Sequence, residues 1–251
     1  MKQKSDEVIN DLLGYEGLKI IQRPDMFNFS LDSTILAYYT TINKTAKRII
    51  DLGCGNGYIP IFLTLRTKAK IEGVEIQEEA YNLACKSVKL NHLEDQITIH
   101  LGDMKTIYNT VGVAKYDLVT SNPPYFKYQK DSKINANDYL TIARHEVKVT
   151  LNDVLHTANI LLKDGGTFAM VHRVERLIDI LETFRLNHIE PKRILFVYPK
   201  TTSKSALAVF IEGKKSLKPG GLQILPPLYV YNEDNTYTEE ILKIFNYKQE
   251  E

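Results

Sequence analysis

The sequence predicts an α/β protein with a doubly wound, mostly parallel sheet and helices on both of its faces. Strand and helix patterns alternate along most of the 251 residues. A glycine-rich turn joins the first apolar strand to an apolar helix, and an Asn-Pro-Pro-Tyr motif ends a later strand. Strands separated by helical crossovers pair in parallel and carry their helices on both sides of the sheet.

Seven apolar segments have the length and side-chain pattern of buried strands. They span residues 49–52, 69–75, 97–100, 116–120, 167–171, 192–197 and 205–212. Helical periodicity falls between them, over residues 59–65, 78–91, 151–162 and 174–184. The polar Lys163-Asp164-Gly165-Gly166 is expected to stop the third of these helices. The pattern therefore predicts a seven-stranded sheet.

Composition indicates an ordinary soluble domain. The chain is 43% hydrophobic and 25% charged, which is enough apolar material for a core. It contains no apolar run that could span a bilayer, and its polar N-terminus lacks a signal-peptide pattern. Cys54 and Cys85 suggest neither a disulfide scaffold nor a metal cluster, and the histidines show no ligand spacing. We expect a cytoplasmic protein, monomeric, with no membrane association and no metal.

The glycine-rich turn reads Asp51-Leu52-Gly53-Cys54-Gly55-Asn56-Gly57. Its G-x-G-x-G spacing differs from the G-x-G-x-x-G of pyrophosphate binders, and no Gly-Lys-Ser/Thr of a P-loop follows. Glycines let the backbone approach a ligand closely. Glu75 ends the next strand, at about the separation where such folds place a ribose-binding carboxylate. This combination favours a ligand with a nucleoside and without phosphates.

Asn122-Pro123-Pro124-Tyr125 follows the strand at residues 116–120. Two prolines cannot continue a sheet ladder, and the residue before a proline is held in extended geometry. The strand tip offers a side-chain amide oxygen, a backbone carbonyl and an aromatic ring. Those groups suit a flat ring that carries an exocyclic NH2.

Together these residues resemble the class I S-adenosylmethionine-dependent methyltransferases, and N-P-P-Y resembles the subset that methylates amino groups conjugated to a π system. Within that subset the likeness is to the bacterial tRNA1(Val) adenine N6-methyltransferases, which modify the adenine next to the anticodon. Residues 22–32, 143–146, 197–200 and 209–214 add to this likeness. It implies a Rossmann-like fold in which residues 1–46 pack over the cofactor and substrate side. Residues 47–251 would form the methyltransferase domain, including a C-terminal basic segment.

The resemblance also implies the site. The residues it assigns to S-adenosylmethionine are Phe29, Asp51, Gly53, Gly55, Asn56, Gly57, Glu75, Ile76, Asp103, Met104 and Asn122. The catalytic residues are Asn122, Pro123, Pro124 and Tyr125. The Asn122 oxygen and the Pro123 carbonyl would accept the two hydrogens of adenine N6. Tyr125 would stack on the flipped base.

The distribution of charge suggests the partner. Net charge is only +1. Between Pro191 and Gly220, however, the sequence contains seven basic residues and one acidic residue, Glu212. The basic residues are Lys192, Arg193, Lys200, Lys204, Lys214, Lys215 and Lys218. Four more, Lys127, Lys130, Lys133 and Arg144, follow the N-P-P-Y motif. Contacts from such residues to phosphates would position a tRNA.

Two other functions stay open at this point. One is a protein glutamine N5-methyltransferase acting on a release factor, whose N-P-P-Y handles a similarly conjugated amide. Those enzymes usually have a helical domain before the glycine loop, whereas only residues 1–50 precede that motif here. The other is a non-catalytic, cofactor-binding RNA interaction module, against which the intact N-P-P-Y motif argues.

Overall fold

The computed structural model describes residues 7–14, 16–26, 31–123, 149–216 and 218–248. The strands in chain order are β1 (Val8–Asp11), β2 (Lys19–Gln22), β3 (Arg48–Leu52), β4 (Lys70–Glu75), β5 (Ile97–Leu101), β6 (Tyr116–Ser121), β7 (Leu162–Arg173), β8 (Ile189–Lys200), β9 (Ala208–Lys215), β10 (Gln223–Ile224) and β11 (Leu228–Tyr231). The helices are α1 (Leu31–Tyr39), α2 (Tyr58–Leu63), α3 (Glu78–Leu90), α4 (Tyr108–Val111), α5 (Leu151–Leu161), α6 (Leu177–Leu186) and α7 (Glu239–Phe245).

The main sheet has nine strands in the order β10-β8-β9-β7-β6-β3-β4-β5, with β11 also paired to β8. Its seven long strands, β3 to β9, are the seven that the sequence predicts. The short β10 and β11 both add to β8 in parallel and were not predicted. Among the described strands of this sheet, only β9 runs antiparallel to its neighbours, which are β7 and β8. The predicted doubly wound, mostly parallel α/β fold is therefore confirmed.

Apolar side chains cover both faces of this sheet. On one face, strand residues such as Ile49 and Leu118 pack with α1, α2 and α7. On the other, Ile50 and Val119 pack with α5. Neighbouring residues of one strand point to opposite faces, so the continuous apolar runs of β3 and β6 follow from burial on both sides. We call the edge at which β3 to β7 end the carboxyl edge.

Several predicted boundaries differ from those observed; β9, predicted at residues 205–212, spans Ala208–Lys215. Helix α5 ends at Leu161, before residues 163–166 as predicted, but β7 begins at Leu162 instead of residue 167 and includes those four residues. The pairing of β6 with β7 shifts register between Tyr116 and Leu118, and Gly165 has a φ of 73°. The start of β7 is therefore irregular, and it includes Gly165 and Gly166 without a separate loop. β8 begins before Pro191, where the pairing with β9 is again irregular, as expected for a residue that lacks an N–H.

The N-terminal elements are tied to the glycine-loop half of the sheet. In β2, the Ile21 amide donates to Ser87 Oγ of α3 at 3.0 Å, and the Asn91 side chain both accepts from and donates to the Lys19 backbone. The division into residues 1–46 and 47–251 stays a prediction. Among the described residues, no helix combines the length and apolar character needed to cross a membrane.

Candidate active site

The carboxyl edge brings most of the predicted site residues together. Leu52 of β3 lies beside Val74 of β4 and Ser121 of β6, and Glu75 lies beside Leu101 of β5. The residues thereby gathered are Asp51, Gly53, Gly55, Asn56, Gly57, Glu75, Ile76, Asp103, Met104, Asn122 and Pro123. Phe29, Pro124 and Tyr125 lie outside the described residues, as do Lys127, Lys130, Lys133 and residues 143–146.

The glycine loop is packed closely against its neighbours. Gly53, Gly55 and Gly57 have φ values of 76°, 55° and 88°, a backbone region that other residues rarely adopt. The amides of Gly53 and Cys54 both donate to the Val74 carbonyl at 2.9 Å. A Cβ on Gly57 would stand 3.3 Å from that of Ala84 in α3. These contacts fix the loop to β4 and α3.

Gly55 is the open point of the loop. A Cβ built on Gly55 meets nothing within 4 Å. Its amide donates to Glu75 Oε2 at 3.0 Å, which holds the loop tip against the end of β4. The backbone at Gly55 is therefore positioned for close approach by a ligand.

Glu75 is buried at the end of β4, with 6% of its surface exposed. Besides the Gly55 amide on Oε2, its Oε1 accepts from the Gln77 amide at 2.8 Å. Burial raises the pKa of this carboxyl, and the backbone hydrogen bonds partly oppose that effect. An ionised carboxylate can accept about four hydrogen bonds. Glu75 thus keeps acceptor capacity for hydroxyl groups such as those of a ribose.

Asp51 is a second buried carboxyl beneath the loop. Thr120 Oγ1 of β6 donates to its Oδ1 at 2.6 Å, whereas its Oδ2 has no hydrogen-bond partner among the described residues. Burial, opposed by the Thr120 hydrogen bond and assisted by the charge of Glu75, raises the pKa of Asp51 to about 7. The sequence reasoning missed Thr120, because only the pairing of β3 with β6 places it beside Asp51.

The two carboxyls test the fit of the expected cofactor. Asp51 and Glu75 place two buried carboxyls beneath the glycine loop, and wherever these are ionised they disfavour phosphate groups and favour a positively charged ligand. S-adenosylmethionine carries a positive sulfonium and ammonium group against one carboxylate. The described residues therefore fit this cofactor better than a dinucleotide or ATP.

The far side of the loop combines an acid with apolar groups. Met104 Cε reaches to 3.4 Å from the Cβ position of Gly53, and Ile76 is 37% exposed just after Glu75. Asp103 Oδ1 accepts from the Lys105 amide at 2.9 Å. The Asn56 side chain points elsewhere, because its amide donates to the Ile21 carbonyl of β2.

A cavity of about 320 Å³ opens beside β5. It is lined by Tyr81, Ile99, His100, Leu101, Gly102, Asp103, Thr106, Ile107 and Thr110. It shares Asp103 with the predicted site but is not lined by the glycine loop, Glu75 or Asn122. It is thus a side pocket along the free edge of β5, apart from the predicted methyl-transfer position.

Asn122 is the first residue after β6 and is half-buried, whereas Pro123 is buried. Ser121 Oγ donates to the Leu52 carbonyl at 2.8 Å, which ties the end of β6 to the start of the glycine loop. The Asn122 Nδ2 donates to Ser33 Oγ of α1 at 3.0 Å. No local pattern in the sequence marks Ser33, and only the fold brings it to this motif.

The late basic residues do not form one surface. β8 runs in the same direction as β7, because both are antiparallel to β9. Lys200 ends β8 at the carboxyl edge, and Lys204 follows it. Lys214 and Lys215 end β9 at the opposite edge, and Lys215 Nζ donates to the Asn159 and Leu162 carbonyls at the end of α5.

The remaining members of that group also lie away from the carboxyl edge. Lys192 Nζ donates to the carbonyls of Lys218 and Gly220. Arg193 donates to the Tyr39 carbonyl at 3.0 Å and to Thr41 Oγ1 at 2.7 Å. Of the seven basic residues between 191 and 220, Lys200 and Lys204 are therefore the two at the carboxyl edge.

Metal ligation has no evident place in the described site. Among residues 7–14, 16–26, 31–123, 149–216 and 218–248, no three or more His, Cys, Asp and Glu side chains come together in a group that could hold a metal ion.

Comparisons with known proteins bear on family and fold. The family model described as Methyltransferase small domain matches residues 17–184. A tRNA1(Val) (adenine(37)-N6)-methyltransferase of Porphyromonas gingivalis is 33% identical over 206 residues, which cover 74% of this chain and 79% of that protein. One of Flavobacterium psychrophilum is 25% identical over 228 residues, covering 89% and 95%.

Among solved structures, a predicted O-methyltransferase from Agrobacterium tumefaciens matches with a TM-score of 0.67 at 19% identity, covering 86% of this chain and 95% of that one. That structural likeness shows the fold alone, whereas the family model and the sequence relatives show the family. The chain belongs to the methyltransferase small domain family, as a relative of the tRNA1(Val) (adenine(37)-N6)-methyltransferases.

Proposed function

We propose that the protein methylates N6 of an adenine in tRNA, and that the target is the adenine next to the anticodon of tRNA1(Val). One observation carries the chemistry: Asn122 and Pro123 follow β6 where Ser121 is bonded to Leu52, directly before the glycine loop. An acceptor pair and a cofactor loop thus share the carboxyl edge. The names of the relatives from Porphyromonas gingivalis and Flavobacterium psychrophilum support the RNA and the base.

The acceptor pair addresses the poor reactivity of the adenine amine. The N6 lone pair is delocalised into the ring, so the amine is a weak nucleophile. When Asn122 Oδ1 and the Pro123 carbonyl accept its two hydrogens, the nitrogen is drawn toward tetrahedral geometry and its lone pair becomes localised. Asn122 precedes a proline, which holds its backbone extended. The acceptors are therefore preorganised before the base arrives.

The rest of the site supplies alignment and charge. S-adenosylmethionine is the cofactor and supplies an electrophilic methyl group on a positively charged sulfur. The glycine loop and Glu75 hold the donor side, while Asn122 and Pro123 hold the acceptor nitrogen, so the chain aligns the two reactants. The attacking amine becomes cationic during transfer and is then acidic enough to lose its proton to water. No strong general base is required.

Two features of the proposal concern the substrate side. A base must leave its stack to reach such a pocket, and stacking on Tyr125 would hold it there. Lys200 and Lys204 lie on the same edge as Asn122 and would contact the RNA backbone. The cytoplasmic location and the monomeric state expected from the sequence remain part of this proposal.

The test is methyl transfer by the purified protein from labelled S-adenosylmethionine to bulk tRNA, to DNA and to a release factor. We expect label in tRNA, recovered as N6-methyladenosine. Asn122→Ala should lower that rate by about a hundredfold or more while cofactor affinity changes little. Label in release-factor glutamine or in DNA, with none in tRNA, would overturn the proposal.

A further inference from the structure

The Asn-Pro-Pro-Tyr motif is hydrogen-bonded to helix α1, which is distant from it in sequence. Asn122 Nδ2 donates to Ser33 Oγ at 3.0 Å, across 89 residues of sequence. Ser33 lies in the first turn of α1 and is buried, with 6% of its surface exposed. A buried hydroxyl in contact with a catalytic amide is placed to influence how that amide is oriented.

The orientation of the Asn122 amide decides whether it can act. A carboxamide has an acceptor oxygen at one end and an NH2 donor at the other, and the two ends have nearly the same size. Only the oxygen can accept a hydrogen from adenine N6. Turned around, the amide would present its own hydrogens to those of the substrate, and the two groups would repel.

We propose that Ser33 is the positioning residue that holds the Asn122 amide with Oδ1 toward the target amine. This inference rests on the proposed function. Ser33 Oγ accepts from the NH2 end, so that end is directed at α1 and the acceptor end is directed away from it. A hydroxyl oxygen has two acceptor lone pairs, so Ser33 can accept this hydrogen bond whichever way its own proton points.

The position of Ser33 is itself fixed from a second side. Thr34, the next residue of α1, is hydrogen-bonded to the Tyr58 hydroxyl at 2.8 Å. Tyr58 begins α2 immediately after Gly57 of the glycine loop, and the buried Ile35 and Leu36 anchor α1 in the core. One turn of α1 therefore contacts both the catalytic motif and the end of the cofactor loop. The N-terminal region would thereby position a catalytic side chain.

The test compares Ser33→Ala with wild type in methylation of tRNA. We expect kcat to fall by at least about tenfold, as for a lost hydrogen bond to a catalytic group, while KM for tRNA and the Kd of S-adenosylmethionine stay within about twofold of their wild-type values. Thr64→Val is the matched control, because Thr64 is also a buried hydroxyl, and among the described residues it bonds the Ile61 carbonyl of α2 and no group of the site. It should lower stability without changing kcat.

A symmetric side chain at position 122 separates orientation from packing. Asn122→Asp has an acceptor oxygen at both ends of the side chain, so either orientation presents an acceptor to the target amine. In the Asn122→Asp background, Ser33→Ala should therefore lower kcat by less than about twofold. Should Ser33→Ala fold poorly, Ser33→Cys keeps the size with only a weak acceptor and should show the same pattern. Equal kcat losses from Ser33→Ala in the wild-type and Asn122→Asp backgrounds, or no loss in either, would refute the positioning role. A wild-type protein that methylates no tRNA adenine would instead refute the proposed function, and this inference with it.

Discussion

Gly55→Leu is the sharpest probe of the cofactor loop, and Gly165→Leu is its matched control. Both glycines have positive φ, 55° and 73°, and at both positions an added Cβ meets nothing within 4 Å. Each substitution should therefore cost only the left-handed backbone strain, about 1–2 kcal/mol. For a chain of this size that corresponds to a melting temperature lower by about 2–8 °C. Only Gly55 lies in the loop beside Glu75.

Binding should separate the two variants. The side chain that Gly55→Leu introduces would occupy the open side of the loop, so calorimetry should show affinity for S-adenosylmethionine at least about a hundredfold weaker, or about 2.7 kcal/mol. Gly165→Leu, at the start of β7, should bind like wild type despite a similar loss of stability. Wild-type affinity in the Gly55 variant, or equal losses in both, would refute the assignment of the loop.

Three further predictions concern charge and stacking. Because burial raises the pKa of Asp51 to about 7, against about 4 in an unfolded chain, the folded protein binds this proton more tightly. The contribution of Asp51 to the free energy of unfolding therefore falls as pH rises from about 4 to about 7. Asp51→Asn removes this pH dependence, so without cofactor the melting temperature of the variant minus that of wild type should increase from about pH 4 to about pH 7. A difference that stays constant over this range would contradict the reasoning. Tyr125→Ala should abolish tRNA methylation while Tyr125→Phe stays nearly as active as wild type, since stacking needs the ring alone; equally inactive variants would indicate a role for the hydroxyl. Lys200→Ala with Lys204→Ala should weaken tRNA binding and flatten its salt dependence. The control pair at the opposite edge, Lys214→Ala with Lys218→Ala, should leave both unchanged, and the reverse result would move the RNA to that edge.

Local patterns in the sequence predict the fold, and they predict which residues meet at the carboxyl edge. The glycine spacing around Gly55 and the acid at Glu75 each follow directly from a buried strand, and strand ends of a parallel sheet meet at one edge. Asn122 is placed by the same logic, because the prolines after it must stop β6. These residues need only the chain order and the direction of the strands to be brought together.

Contacts that depend on long-range packing could not be predicted in this way. Thr120 meets Asp51, and Ser33 meets Asn122, through pairings that no short segment encodes. The basic residues between 191 and 220 do not share one surface, and the reason is topological. β9 runs against its neighbours, so residues close in sequence, such as Lys204 and Lys214, emerge at opposite edges of the sheet.

Mapping the methyl group on tRNA1(Val) tests the central claim most directly. Unmodified tRNA1(Val) from a strain lacking this protein would be incubated with the purified enzyme and S-adenosylmethionine, then cut into fragments and analysed by mass spectrometry. We predict one added methyl, on N6 of the adenine next to the anticodon, in the fragment that contains the anticodon. A methyl on any other nucleoside, or that adenine already methylated in the deletion strain, would contradict the account.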